Sequence, residues 1–170
     1  MRDDDPEVTF PANAVHVIRT QQQIHVTLSQ MADQKANMLL AACFVVFTIA
    51  LGRVHDMAEP LPLMILGGAA FGAGVCAILA VQPATRSKST GPLNLLFFGS
   101  FTQLSEEDYI ARITQEIRRD SSAYEMMARD LYQNGLVLER KKYRLLGYAY
   151  RVFLIGLVAS FAAFVAEYFF

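Results

Sequence analysis

The sequence predicts an all-α membrane protein with three transmembrane helices, two of which extend into a cytoplasmic helical bundle. Leu61–Val81 is 21 residues long and carries no charge, which is enough helix to cross a hydrocarbon core about 30 Å thick. A second apolar run, residues 152–170, contains a single charged side chain, Glu167. The chain is 54% hydrophobic with a mean hydropathy of +0.28, whereas soluble domains are roughly 45–50% apolar. Lipid is therefore the expected solvent for much of the molecule.

The first transmembrane helix is predicted from a long stretch without helix breakers. Asn13 is a suitable N-cap, and no Gly or Pro follows it until Gly52. The first half of this helix is polar, while residues 38–52 are apolar throughout. These 15 residues are short for a span and are also typical of a buried core helix. The short loop before Leu61 favours a helical hairpin in lipid, and Asn37 and Arg53 extend its usable length by snorkelling.

The second span contains a glycine-rich segment, residues 67–74. Gly68 and Gly72 form a G-x-x-x-G face, along which helix backbones approach closely. Two interpretations remain open for this helix-packing pair. It packs against the protein's own first or third span, or it forms a seam between copies of the chain.

A short helix is predicted after the polar connection that follows the second span. Ser105 and Asp108 have the spacing of a capping box. Tyr109, Ile110 and Ile113 then recur at helical spacing on one face, so the helix is expected to run to about residue 119.

The last helix is predicted to be long and nearly continuous, from about residue 122 to about residue 168. Ser122 and Glu125 form a second capping signature, and an apolar stripe continues from there into the third span without a proline. The Asn134-Gly135 pair marks a kink or a turn within it.

Basic residues predict the topology, because Lys and Arg stay on the cytoplasmic side of the inner membrane. Three of them precede the first span, eleven lie in residues 82–151, one lies between the first two spans, and none follows the third. The N-terminus and residues 82–145 are therefore expected in the cytoplasm. The predicted segments are a flexible N-terminal tail (1–13), a cytoplasmic helix (14–37), transmembrane helix 1 (38–54), transmembrane helix 2 (61–81), a cytoplasmic helical sensor region (82–145) and transmembrane helix 3 (146–169).

No catalytic pattern is present, so we expect a protein that is not an enzyme. His16, His25 and His55 lack metal-ligand spacing, and no phosphate-binding loop follows a strand. The spans also lack a chain of ionisable residues of the kind that transporters use. No catalytic residue, metal or resident cofactor is therefore predicted.

The cytoplasmic part does offer groups suited to a small phosphorylated ligand. A basic collar precedes the third span, and such a collar is also ordinary positive-inside patterning that attracts anionic lipid. Its cations suit a phosphate, aromatic rings suit a base, and an amide suits the edge of a pyrimidine. The candidate nucleotide-binding residues are Lys35, Asn94, Phe97, Phe98, Tyr109, Tyr132, Lys142 and Arg144.

Three segments resemble one family. DQKANMLL at residues 33–40 is similar to its acidic-then-Lys-Ala pattern at the start of the first span. NLLFFGSF at residues 94–101 resembles its Asn-x-Leu-Phe-Phe-Gly-x-Phe block, and residues 130–156 resemble its Asp-x-Tyr…Lys-Tyr…Ala-Tyr segment. The family is that of the transmembrane effectors of Pycsar antiphage systems.

The resemblance implies a function. In such systems a separate pyrimidine cyclase makes cyclic CMP (cCMP) or cyclic UMP (cUMP), and the effector senses that nucleotide and impairs the inner membrane, so that the infected cell stops growing or dies. The expected partners are this nucleotide, the lipid bilayer and further copies of the chain, because three spans are too few to enclose a pore; no nucleic-acid polymer is expected. The alternatives are a membrane anchor or scaffold without enzymatic activity, and a membrane-disrupting toxin that needs no ligand.

Overall fold

A computed structural model describes residues 10–11, 13–53, 61–83 and 93–169. Within these residues the chain is helical, and no strand occurs among them. The elements are α1 (Ala14–Arg53), α2 (Leu61–Val81), α3 (Phe98–Phe101), α4 (Glu106–Glu116), α5 (Asp120–Val137), a π-helix (Leu138–Tyr143) and α6 (Arg144–Phe169). The predicted N-terminal tail, the loop between the first two spans and the polar run before Asn94 lie wholly or largely outside the described residues.

Three helical segments are long and apolar enough to cross a membrane, as predicted. They are α1, with 40 residues, α2, with 21, and the continuous run Asp120–Phe169, with 50 residues that join α5, the π-helix and α6. The predicted helix from Ala14 to about Gly52 is confirmed to within one residue, because no helix breaker interrupts it. The chain is therefore a membrane protein with three spanning helices.

The chain divides into two compact units. Unit 1 comprises Met1–Thr27 and Pro83–Val137, and unit 2 comprises Leu28–Gln82 and Leu138–Phe170. Unit 2 holds the apolar helical segments, and unit 1 holds α3, α4 and α5 together with the start of α1. That unit 1 is a cytoplasmic bundle remains a prediction.

Unit 2 buries small residues and exposes large ones, which is the reverse of a water-soluble core. Its interior is lined by small side chains such as Ala73 and Ala149, each with none of its surface exposed. Phe44, Ile155 and Phe161 are 67–70% exposed. Small interfacial residues let helix backbones approach in lipid, and the large side chains then face the hydrocarbon. This pattern is independent support for a membrane environment.

Glycines and small residues set the closest helix contacts of unit 2. A Cβ added to Gly67 would lie 2.8 Å from the Ala50 Cβ, and one added to Gly72 would lie 3.6 Å from Val152 Cγ1. Of the predicted packing pair, Gly72 thus faces α6, whereas Gly68 has open space around it within the described residues. Where α6 crosses the start of α2, Ser160 Oγ donates a hydrogen bond of 2.7 Å to the Pro62 carbonyl.

Helix α4 begins where the sequence predicts. The Asp108 N–H donates to Ser105 Oγ at 3.1 Å, which confirms this half of the predicted capping box. The helix ends at Glu116 rather than near residue 119, and its N-terminal turn carries three acidic residues that suit the helix dipole.

The second predicted cap, at Ser122, is wrong. Helix α5 already begins at Asp120, because the Arg119 carbonyl accepts a hydrogen bond from the Ala123 N–H at 3.1 Å. Ser122 therefore lies inside the first turn. A three-residue connection leaves no room for an extended N-cap at that position.

The predicted break at Asn134-Gly135 is also displaced. Gly135 is helical, and a Cβ added there would lie 3.2 Å from His25 Cε1, so the glycine serves as a close contact between α1 and α5. The departure from regular α-helix begins three residues after Gly135, where the π-helix starts at Leu138. Short π-helical segments inside α-helices frequently mark functional sites.

Candidate functional site

Unit 1 contains a partly open cavity of about 150 Å³ between the segment before α3 and the facing ends of α4 and α5. Its apolar wall is formed by Leu93, Leu95 and Met126. Its polar lining is formed by Asn94, Glu116, Ser122, Glu125 and Arg129. An apolar wall with a few convergent polar groups is the usual composition of a small-molecule site.

The side-chain amide of Asn94 links the segment before α3 to α5. It is only 4% exposed, and its Nδ2 donates hydrogen bonds to Asp130 Oδ1 at 3.0 Å and to Gln133 Oε1 at 2.9 Å. Its Oδ1 accepts the backbone N–H groups of Leu96 at 2.9 Å and Phe97 at 3.2 Å. An asparagine amide has two donor hydrogens and two acceptor lone pairs. All four are used, so in this structure Asn94 holds the segment before α3 onto α5.

The Asn94 contacts also explain how a buried acid is accommodated. Asp130 is 7% exposed, and burying a carboxylate is costly unless it is hydrogen-bonded. The Asn94 amide supplies one such bond across 36 positions of sequence. The pairing therefore fixes the segment that carries Leu93 and Leu95 relative to α5.

Arg129 and Glu125 form an ion pair on the cavity lining. Arg129 Nη2 lies 2.6 Å from Glu125 Oε1, one helical turn away on α5. Their side chains are 37% and 72% exposed, so the pair is accessible to solvent. Such i,i+4 pairs contribute only about 0.3–0.5 kcal/mol and exchange partners readily. Arg129 is the single cation among the described lining residues.

The candidate aromatic residues of unit 1 lie outside this lining. Phe97 is half-buried and Phe98 is 55% exposed, with their ring centroids 5.0 Å apart. Tyr109 is half-buried against Phe101, with a centroid distance of 4.9 Å, and Tyr132 is 67% exposed. Of the predicted nucleotide contacts, only Asn94 lines the cavity.

The remaining candidates belong to unit 2, where Lys142 is already paired. Its Nζ lies 2.8 and 2.7 Å from the two carboxylate oxygens of Asp33 and 2.7 Å from Ser29 Oγ. The Lys142 side chain is 20% exposed and that of Asp33 is 40% exposed. A phosphate would have to displace a carboxylate that makes two charge-assisted bonds to this lysine.

The π-helix carries further contacts to the spanning helices of unit 2. The Tyr143 hydroxyl donates to the Leu28 carbonyl on α1 at 3.1 Å, next to the Lys142–Ser29 contact. Lys141 Nζ donates to the Gln82 carbonyl just beyond α2 at 2.8 Å. A lysine at a helix C-terminus satisfies a carbonyl that has no partner within the helix. The π-helix thus binds both α1 and the end of α2.

Lys35 and Arg144 are both exposed. The backbone carbonyl of Lys35 accepts a hydrogen bond from the Tyr150 hydroxyl at 3.3 Å, which leaves the lysine ammonium group uninvolved in that contact. Within unit 2, these two cations and Lys142 lie near the polar ends of the spanning segments, as expected for a basic collar.

Comparison with known families matches residues 16–167 to the Pycsar effector protein domain. The chain belongs to the Pycsar effectors. The match covers nearly the whole sequence, including all three spanning helices and the cavity of unit 1. Comparison with curated proteins and with solved structures gives no match.

This membership places the protein among antiphage defence effectors, and it makes the chain an effector rather than a cyclase. The three apolar helices agree with the membrane context of such an effector. No group of three or more potential metal-ligating side chains occurs among the described residues.

Sequence reasoning missed the charged lining of the effector's cavity. Glu125 and Arg129 are spaced by four residues in a helical segment, which is the signal for an ion pair on one helix face. Glu116 carries no such signal, because it reaches the cavity only through the turn between α4 and α5.

Proposed function

We propose that this effector senses a cyclic pyrimidine nucleotide, cCMP or cUMP, and responds by impairing the inner membrane, so that the infected cell stops growing or dies. The match to the Pycsar effector domain over residues 16–167 carries the proposal. The three spanning helices supply the membrane part, and the cavity of unit 1 supplies a place for a small ligand.

The helix continuity of the chain supports coupling between ligand and membrane. Helix α1 is uninterrupted from a polar start to an apolar end, and Asp120–Phe169 is a helical run of 50 residues with the same organisation. A ligand shifts a conformational equilibrium only by its differential affinity for the two states. Moving the active fraction from 1% to 99% takes about 5.5 kcal/mol. One charge-assisted hydrogen bond and one stacked base supply about 2.5–6 kcal/mol together.

We further propose that the N-terminus and residues 82–145 face the cytoplasm, where a cyclase product accumulates. The basic residues of these segments support this orientation. Several copies of the chain would act together, because three spans do not enclose an aqueous pathway. Among the described residues nothing lies within 4 Å of a Cβ added to Gly68, which leaves one face of α2 available for another copy or for lipid.

A test of the function expresses the effector with and without a pyrimidine cyclase and follows growth and entry of a membrane-impermeant dye. We expect growth arrest and dye entry only when the cyclase is active. Arrest without the cyclase would instead identify a toxin that needs no ligand. An intact membrane in both conditions would identify an anchor or scaffold. A purine cyclase serves as the control for the nucleotide class.

A further inference from the structure

We infer that the cavity of unit 1 holds a cyclic cytidine nucleotide, with Arg129 on the phosphate and Glu116 on the cytosine. The inference rests on the proposed function and adds to it a site and a choice of base. The evidence is the cavity itself, the single cation in its described lining, and the two carboxylates of the same lining, of which Glu125 is paired with that cation.

Arg129 is the phosphate partner because of charge and access. It is the one cation on the described lining, it is 37% exposed, and its guanidinium presents a fork of N–H donors that fits a phosphate. One of those donors, on Nη2, is held by Glu125 Oε1 at 2.6 Å. Ligand binding is therefore an exchange in which the phosphate replaces Glu125 on Arg129.

This exchange gives Glu125 an effect of opposite sign from that of Arg129. The Glu125 carboxylate competes for the guanidinium and repels the phosphate anion. Replacing it with glutamine removes both the competition and the repulsion. Loss of Arg129 thus weakens nucleotide binding, whereas loss of the Glu125 charge strengthens it. Two residues that merely stabilised the helix as an ion pair would not move binding in opposite directions.

The choice of cytosine follows from the hydrogen-bonding groups of the lining. Asn94, the one amide among the described lining residues, already uses all four of its hydrogen-bonding positions. The Glu116 carboxylate only accepts hydrogen bonds, and a carboxylate pairs with the 4-amino group of cytosine. Uracil presents a carbonyl oxygen at that position, which a carboxylate repels, and its base offers Glu116 only the N3–H donor, whereas the cytosine amino group offers two donor hydrogens, so cytosine is the better partner. The apolar wall of Leu93, Leu95 and Met126 offers a surface for either base.

The small volume of the cavity suggests how ligand binding could favour a different conformation of unit 1. At about 150 Å³ it is smaller than the roughly 300–1,000 Å³ of typical small-molecule sites. A whole nucleotide would therefore extend through the open side of the cavity unless the cavity widens. A ligand that fits the wide form and not the narrow one has the differential affinity that a switch needs.

The test is calorimetric titration of the full chain, purified in detergent, with cCMP, cUMP and cyclic AMP. We expect the wild type to bind cCMP more tightly than cUMP and not to bind cyclic AMP. Arg129→Ala should weaken cCMP binding by about tenfold or more, as expected for loss of a charge-assisted bond. Glu125→Gln should strengthen it several-fold. Arg112→Ala, which changes an exposed arginine of α4 outside the lining, is the matched control and should leave binding unchanged.

Glu116→Gln tests the base assignment, because a glutamine amide both donates and accepts hydrogen bonds. We expect this variant to lose the preference for cCMP over cUMP. Thermal unfolding of every variant reports whether it is folded, and Arg129→Lys replaces Arg129→Ala if the latter does not fold.

The possible titration results test the proposed function and the proposed site independently. A wild-type protein that binds no cyclic pyrimidine contradicts the proposed function. A wild type that binds while folded Arg129 and Glu125 variants bind equally well overturns the site. A wild type that prefers cUMP overturns the assignment of cytosine to Glu116.

Discussion

Lys142 Nζ lies within 2.8 Å of both carboxylate oxygens of Asp33, although the two residues are 109 positions apart in the sequence. This ion pair joins the π-helix to α1 within unit 2. The neighbouring Tyr143–Leu28 hydrogen bond, at 3.1 Å, reinforces the same junction. The π-helix follows directly on the boundary between the two units, at Val137 and Leu138. A change of register in this segment would alter contacts to α1 and to the end of α2 together.

The first prediction concerns this ion pair. Lys142→Ala and Asp33→Ala should each lower the thermal midpoint of the detergent-purified protein, because each leaves a partly buried charge without its partner. A double-mutant cycle should give a coupling energy of about 1–3 kcal/mol. The control is Arg140→Ala, whose contact with Glu139 is 3.7 Å long between side chains that are 68% and 70% exposed. A coupling near zero would show that Lys142 and Asp33 do not depend on each other.

The second prediction concerns Asn94. Asn94→Ala removes four hydrogen bonds and leaves the buried Asp130 carboxylate without its amide partner, so unfolding should become easier by about 2–4 kcal/mol. Asn94→Asp should be at least as damaging, because it sets a second carboxylate 3.0 Å from Asp130. Thermal or denaturant unfolding followed by circular dichroism measures both. Gln115→Ala, on the exposed surface of α4, is the control and should change stability by less than about 0.5 kcal/mol.

The third prediction compares two glycines of α6. A Cβ added to Gly156 collides with Ala69 Cβ on α2, and backbone atoms of Ala69 and Ile65 lie close behind it. Gly156→Ala should therefore force α2 and α6 apart and destabilise their packing by about 1–3 kcal/mol. Gly147→Ala has open space around it and should be neutral or slightly stabilising, because alanine favours helix. Resistance to unfolding in a detergent series distinguishes the two variants. Equal behaviour would mean that α2 and α6 do not approach at Gly156.

The fourth prediction applies the same comparison to α2. Gly67→Ala brings a methyl group to within 2.8 Å of the Ala50 Cβ, so the contact between α1 and α2 should weaken. Gly68→Ala meets no atom of the described residues within 4 Å and should leave the fold intact. Introducing cysteines at exposed positions of the two helices and measuring their crosslinking yield reports this contact. If Gly68→Ala disturbs it as much as Gly67→Ala, the two glycines have been assigned to the wrong faces.

The spanning helices and the starts of α1, α2 and α4 were predictable from the sequence. Lipid offers no partner for backbone N–H and C=O groups, so an apolar run of sufficient length has to be a helix, and the bounds of α2 coincide with the charge-free run Leu61–Val81. The Ser105 cap was equally predictable, because its hydrogen bond to Asp108 spans three residues. The resemblance to the Pycsar effectors, carried by short local motifs, agrees with the domain match.

Which side chains meet could be seen only once the helices were packed. The pattern of glycines does not show which of Gly67 and Gly68 packs against a neighbouring helix. Neighbouring residues point about 100° apart around a helix, and only the structure shows that Gly67 faces Ala50 while Gly68 does not. Lys142 pairs with Asp33, and Asn94 pairs with Asp130, across long stretches of sequence. Glu116 and Arg129 line one cavity although they belong to different helices. Local propensity carries no information about such partners, since their contacts form only when helices pack.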